Sequence, residues 1–249
     1  MSPKTTGKLY GIGVGPGDPD LVTVKAIKIL KATSIIFAAS STKNDYSLAE
    51  NIVRKHVPEA SVQTLPFPMS SDLNVLRDAW ERNARAVLRI LDSGKDVAFV
   101  TLGDPMTYST FSYLLRTARE MNPNTDVEII PGITSYQAAA SMANIPLVEG
   151  EESLVVLSGA KGSDKLLRTA KKADNIVVLK TYKSFDQIYD TLENLGLLDR
   201  ATFFSKIGLP GEEMIRDVRT LKSVTTSYLS LIIINRNHEI RTEQRENNG

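Results

Sequence analysis

The sequence predicts an α/β fold made of two α/β domains: an N-terminal, doubly wound, mainly parallel five-stranded sheet, then a C-terminal mixed-sheet domain. Three features carry that reading. Strand-sized apolar runs alternate with helical stripes through the first half, which calls for a mainly parallel sheet covered by helices on both faces. After Pro146 the pattern changes and strands cluster. With 249 residues, 42% hydrophobic and 24% charged, the chain is long and apolar enough for two modest cores. The boundary is drawn at 1–132 and 133–249.

In order, Leu9–Val14 reads as a strand and Pro19–Lys31 as a helix, with Asp18 as N-cap and Pro19 as first helical residue. Ser34–Ala38 is a second strand, Ser47–Lys55 a helix and Ser61–Leu65 a third strand. Asp72–Ser93 is a long helix with Leu73, Leu76, Trp80, Ala84, Val87 and Leu91 on one apolar stripe. Its Arg77, Arg82, Arg85 and Arg89 suggest an anion patch, but Asp78–Arg82 and Glu81–Arg85 stand at i,i+4, so a self-neutralised face is expected. Asp96–Leu102 is a strand, Tyr108–Glu120 a helix and Asp126–Ile130 the fifth strand. A short helix over Thr134–Ala143 stops before Pro146. Strands follow at Ser153–Ser158, Asn175–Lys180, Ala201–Ile207, Met214–Val218 and Tyr228–Asn235, with helices at Ser163–Ala173 and Ser184–Leu195 and a turn at Gly208–Gly211. The tail Glu239–Gly249 has almost no apolar residues and is expected to be disordered.

Composition excludes several classes. Thirty Lys and Arg balance 29 Asp and Glu, so no basic excess favours non-specific nucleic-acid binding. With no cysteine, the chain has no disulfide, catalytic thiolate or Cys-based metal site. The two histidines, His56 and His238, lack partners at ligand spacing, so both are expected at the surface and no protein-bound metal is expected. No signal-like segment precedes Leu9, and no stretch approaches the roughly 20 apolar residues of a membrane span. A cytoplasmic protein without a membrane partner is expected.

Three loops carry the chemistry. Gly11-Ile12-Gly13-Val14-Gly15-Pro16-Gly17-Asp18 follows the first strand with four glycines in seven positions, so the backbone turns sharply or is closely approached there. It fails as a dinucleotide loop: Pro16 or Asp18 occupies the third glycine position, and the second strand ends without a ribose-binding acid. Thr101-Leu102-Gly103-Asp104-Pro105-Met106-Thr107-Tyr108 follows the fourth strand and sets a carboxylate beside exposed amides. Pro131-Gly132-Ile133-Thr134-Ser135 follows the fifth, with hydroxyls that can cap a helix or bind a ligand. All three leave the C-terminal ends of strands, where open α/β sheets bind ligands.

The strings YGIGVGPGDPDLVTVKA, VTLGDPMTYSTFSYLL and EIIPGITSYQAAASMANIPL, in that order, resemble the tetrapyrrole (cobalamin-precorrin) methyltransferases from about Leu9 to Ile234. Gly-Asp-Pro-Met-Thr-Tyr-Ser-Thr with Phe-Ser-Tyr, and Leu65-Pro66-Phe67-Pro68-Met69, resemble the branch that methylates C20 of precorrin-2 or cobalt-factor II. The resemblance implies a class III methyltransferase-like fold and S-adenosyl-L-methionine held between two domains. It assigns Pro16, Leu102, Gly103, Asp104, Thr107, Thr134 and Ser135 to the cofactor, with Leu179, Lys180 and Gly208 from the second domain. Leu179 stands where many relatives have Met, and the glycine-rich loop faces the tetrapyrrole more than the cofactor. A homodimer is also implied.

The implied reaction moves a methyl from sulfonium sulfur to a nucleophilic meso carbon. The protein then chiefly aligns two reactants, and alignment supplies effective molarities of about 10⁵ M or more. Asp104 or Tyr108 is the candidate acceptor of the C20 proton, although orienting loop and cofactor is the favoured role of Asp104. Lys180, Lys183 and Lys206 are candidate partners for substrate carboxylates. The alternatives are another methylase of the superfamily, acting on a different corrin position or on a diphthine precursor, and a non-catalytic nucleotide-binding module.

Overall fold

Residues 6–40 and 47–236 are described by a computed structural model. The chain divides into two compact units, Met1–Ser135 and Tyr136–Gly249.

The first unit is built on strands whose two faces are both apolar. In β4 (Val97–Thr101), residues 97–100 are all 0% exposed. Ala98 and Val100 pack towards α1 (Val24–Ala32) and α2 (Leu48–His56), while Val97 and Phe99 pack towards α3 (Leu73–Asp92) and α4 (Phe111–Met121). Such a strand needs helices on both sides, as a parallel sheet provides. With β1 (Leu9–Gly13), β2 (Ile35–Ser40), β3 (Val62–Pro66) and β5 (Val127–Ile130), the order is β3-β2-β4-β1-β5, and every pairing is parallel. The five-stranded parallel sheet expected from the sequence is therefore the one observed.

Three expected elements change. The helix expected over Pro19–Lys31 is two pieces: a 3₁₀ turn at Pro19–Leu21 capped by Asp18, then α1. Val22 is extended, and the Thr23 hydroxyl accepts from the Ala26 amide at 3.2 Å, so a second N-cap overrides the first. The helix expected from Tyr108 starts at Phe111, because Tyr108 lies in the left-handed region at φ 49°. The stripe of α3 is only partly core: Ala84, Val87 and Leu91 are buried, but Leu73 is 70% exposed. The buried face instead includes Ala79 and Asn83, whose amide donates to the Pro66 carbonyl at 2.8 Å and ties α3 to the end of β3.

The second unit has β6 (Leu154–Ser158), β7 (Asn175–Leu179), β8 (Ala201–Ser205), β9 (Glu213–Ile215) and β10 (Ser230–Asn235) in the order β6-β7-β10-β8-β9. Only β6–β7 is parallel, so the sheet is mixed, as expected. Alternation is strict: Ile176, Val178, Phe203, Ile232 and Ile234 face α6 (Asp164–Thr169) and α7 (Phe185–Asn194). Val177, Phe204, Leu231 and Ile233 face Ala139, Ala140 and Ala143 of α5 (Ser135–Ala143). Helix α6 is shorter than the expected Ser163–Ala173, and strand β8 stops two residues early because Lys206 turns left-handed at φ 51°. The C-terminal end of α5 is closed by Arg216, whose guanidinium donates to the Ala143 carbonyl at 3.2 Å. The tail Glu239–Gly249 and His238 lie outside the described residues.

Candidate functional site

Strand register in the first unit places the three loops at one level. Gly13 is opposite Thr101, and Ile12 is opposite Ile130, so β1, β4 and β5 end together. The loops then close on each other through backbone. Val14 N donates to Thr101 O at 3.0 Å, and Gly15 and Gly103 exchange bonds at 3.3 and 2.6 Å in an antiparallel bridge.

The glycine pattern follows from this closure. A Cβ on Gly13 would stand 2.5 Å from the Gly103 carbonyl oxygen and 2.7 Å from the Gly132 Cα. A Cβ on Gly132 would collide with the same carbonyl, and one on Gly11 with the Phe111 ring. Gly15 sits at φ +78° and Gly103 at φ +71°, a region that L side chains enter at a cost of about 1–2 kcal/mol. Glycines 11, 13 and 15 of the first loop thus each have an intramolecular reason, beyond the one or two that a simple strand-to-helix turn needs. Around Gly103 the space is open: beyond its chain neighbours, no atom of the described residues lies within 4 Å of its Cβ position.

Asp104 fastens the arrangement. Its Oδ1 accepts from the Met106 amide at 2.8 Å and the Thr107 hydroxyl at 3.2 Å, while Oδ2 accepts from the Gly132 amide at 3.1 Å. One carboxylate therefore spans the second and third loops, 28 residues apart. Ser109 does similar work: its Oγ donates to Thr101 Oγ1 at 3.0 Å and accepts from the Phe111 amide at 3.1 Å, capping α4. Tyr108, between these two fasteners, is half-exposed in its left-handed conformation.

Pro16, Leu102, Gly103, Asp104, Thr107, Thr134 and Ser135 thus stand on three loops of one crest, with Pro16 and Thr134 buried. The first loop is also held from outside. His56 Nε2 donates to the Pro19 carbonyl at 2.8 Å, so this histidine, expected at the surface, is half-buried and bridges α2 to the loop.

Leu179, Lys180 and Gly208 lie at the same end of the second sheet, on the bends that follow β7 and β8. Leu179 ends β7 opposite Leu231, the Lys180 amide donates to Ser230 O at 3.0 Å, and the Lys206 amide to Leu229 O at 2.8 Å. Lys180 is left-handed at φ 59°, ψ 45°. Although exposed to solvent, its ammonium is crowded enough by protein atoms that desolvation pulls its pKa below the ordinary 10.5. The fully buried Thr181 bonds Ser230 Oγ at 2.8 Å and anchors this bend. Tyr182 and Tyr228 meet at 4.9 Å between ring centroids, and burial raises the Tyr228 phenol. Gly208, at φ 72°, gives its amide to the Glu212 carboxylate inside the β8–β9 turn. Sequence reasoning missed Ser109. A single Ser or Thr in a loop carries no signal by which to find it.

No group of three or more acidic or imidazole side chains that could hold a metal occurs among the described residues, and no helix there is long and apolar enough to cross a membrane.

The two α/β units belong to a methylase class: the chain is a member of the Tetrapyrrole (Corrin/Porphyrin) Methylases, whose family model matches residues 8–222. It is 36% identical over 235 residues to the cobalt-precorrin-2 C(20)-methyltransferase of Salmonella typhimurium, covering 94% of this chain and 98% of that one. It is 38% identical over 205 residues to the probable cobalt-precorrin-2 C(20)-methyltransferase of Methanocaldococcus jannaschii, covering 80% and 85%. Among solved structures, the X-ray structure of a cobalamin biosynthetic enzyme, cobalt precorrin-4 methyltransferase, is similar with a TM-score of 0.69 and 26% identity over 92% of this chain and 94% of that one.

Proposed function

We propose that this chain transfers a methyl group from S-adenosyl-L-methionine to C20 of cobalt-precorrin-2 or its metal-free counterpart. The observation that carries the reading is the crest of the first unit, in a chain so similar along its length to C20 methylases. The residues suit the cofactor: Gly103 exposes its backbone to open space, and hydroxyls stand at Thr107, Thr134 and Ser135. When bound, S-adenosyl-L-methionine supplies a methyl already activated by positive charge on sulfur.

The chain's own work is positional. Asp104 spends both oxygens holding Met106, Thr107 and Gly132, so it orients the crest rather than standing ready as a base. A new carbon–carbon bond forms at C20 as the methyl–sulfur bond breaks, and the hydrogen there leaves as a proton; Tyr108, exposed beside the crest, is the candidate to relay it to solvent. Leu179, Lys180 and Gly208 of the second unit are cofactor candidates in this reading. The reading includes a homodimer and a cytoplasmic location, checked by sedimentation equilibrium and by cell fractionation.

Calorimetry with S-adenosylhomocysteine comes first, and absence of binding would end the methylase reading. Incubation with the cobalt-containing and metal-free rings follows, with mass spectra reading one methyl in place of one hydrogen and NMR its position. Transfer to another carbon would move the assignment within the family.

A further inference from the structure

Helix α3 is longer than the sheet it covers. Its 20 residues span about 30 Å, while the five- and six-residue strands beneath span about 17–20 Å. Helices α3 and α4 each return from the C-terminal end of one parallel strand to the start of the next, so they run in the same direction. Trp80 and Tyr113 set their relative height: the rings stack at 4.5 Å with planes 4° apart. Trp80 is the eighth residue of α3 and Tyr113 the third of α4, so α3 projects by five residues, about 7 Å, beyond the start of α4. That projection lies at the end of the sheet where the three loops emerge.

The projection is apolar on a defined face. Leu73, Leu76, Arg77 and Trp80 stand at i, i+3, i+4 and i+7, one contiguous strip that continues the buried stripe of Ala84, Val87 and Leu91. Leu73 is 70% exposed, and Met69, in the loop before the helix, 58%. Arg77 makes no ion pair with a described residue, because Glu81, one turn on, is taken by Arg85 at 3.4 Å. Apolar strips left open in this way mark binding surfaces.

We propose that the projecting turn of α3 is a side wall of the substrate site, with Leu73 and Leu76 against the apolar macrocycle and Arg77 paired with one of its peripheral carboxylates. The inference rests on the tetrapyrrole reading above. A large ring, apolar across its face and anionic at its rim, matches an apolar strip flanked by a free guanidinium in both shape and charge. A second copy of the chain fits less well, because a two-fold axis through the strip would set Arg77 against its own counterpart.

The test uses the full chain, the cobalt-containing precorrin-2 ring as probe, and the variants Leu73→Ser, Arg77→Gln and Arg77→Lys. Arg77→Gln is expected to raise KM for the ring about tenfold, Leu73→Ser about fivefold and Arg77→Lys less than either, with S-adenosylhomocysteine affinity unchanged. Unchanged KM in Leu73→Ser and Arg77→Gln, with the wild-type chain active, overturns this proposal alone. So does conversion of a dimer to a monomer by Leu73→Ser, which would make the strip a contact between copies. A wild-type chain that binds S-adenosylhomocysteine but never methylates the ring overturns the substrate reading and this proposal together.

Discussion

The two units reach their candidate ligand edges by opposite means. In the first, side chains are removed: Gly13, Gly103 and Gly132 let three backbones touch, and one carboxylate, Asp104, locks them. In the second, side chains are kept at conformational cost: Lys180 and Lys206 hold left-handed backbone where glycine would be easier. The first edge is therefore a rigid backbone surface. The second presents long, charged and aromatic groups, Lys180, Lys183, Tyr182 and Tyr228, on strained bends. Parallel strands that end together suit the first solution, because neighbouring loops leave side by side. In the mixed sheet, the start of β10 lies between the ends of β7 and β8, which spaces the bends apart.

Four measurements would sharpen or break that contrast. The largest effect is expected from Gly132→Ala, whose methyl must push on the Gly103 carbonyl and the Gly13 backbone. A loss of about 3 kcal/mol in urea denaturation is expected, and a change under 0.5 kcal/mol would mean that the crest is not closed by backbone contact. Asp104→Ala should cost about 2 kcal/mol through the orphaned Gly132 and Met106 amides and weaken S-adenosylhomocysteine binding about tenfold by calorimetry. Asp104→Asn, which keeps one acceptor oxygen, should fall between; unchanged affinity and turnover in both would refute the role given to this loop.

Thr23→Ala removes the cap of α1 and should cost about 1 kcal/mol while leaving S-adenosylhomocysteine affinity alone, which separates scaffold from crest. The smallest effect has the opposite sign. Lys180→Gly relieves left-handed strain and should gain about 0.5 kcal/mol in thermal denaturation while weakening ligand binding. Because the folded pKa of Lys180 lies below the unfolded 10.5, the cost of its desolvated charge is fully present below the folded value and fades as pH rises to 10.5. The gain should therefore shrink in alkaline buffer, and a gain independent of pH would leave only the backbone term.

Much of this was legible beforehand. Val97–Val100 announces a doubly covered strand by being apolar at every position, and the continuous apolar run Leu231–Ile234 marks a strand that the structure covers on both faces. The three motif strings carried the family. Boundaries were less legible where two local signals competed. Asp18 and Thr23 are both good caps five residues apart, and only packing decides that both are used.

By itself the sequence determined the two-unit α/β architecture, the three loops at strand ends and the family, because apolar periodicity and motif order are properties of the chain. Tertiary structure alone decided what the residues in those loops do. Gly13 meets Gly103 and Gly132 across about 90 and 120 residues of chain, and Asp104 reaches Gly132 across 28. Leu73 belongs by sequence to the core stripe and by structure to solvent, because nothing in the period of a helix tells how far it outruns its sheet.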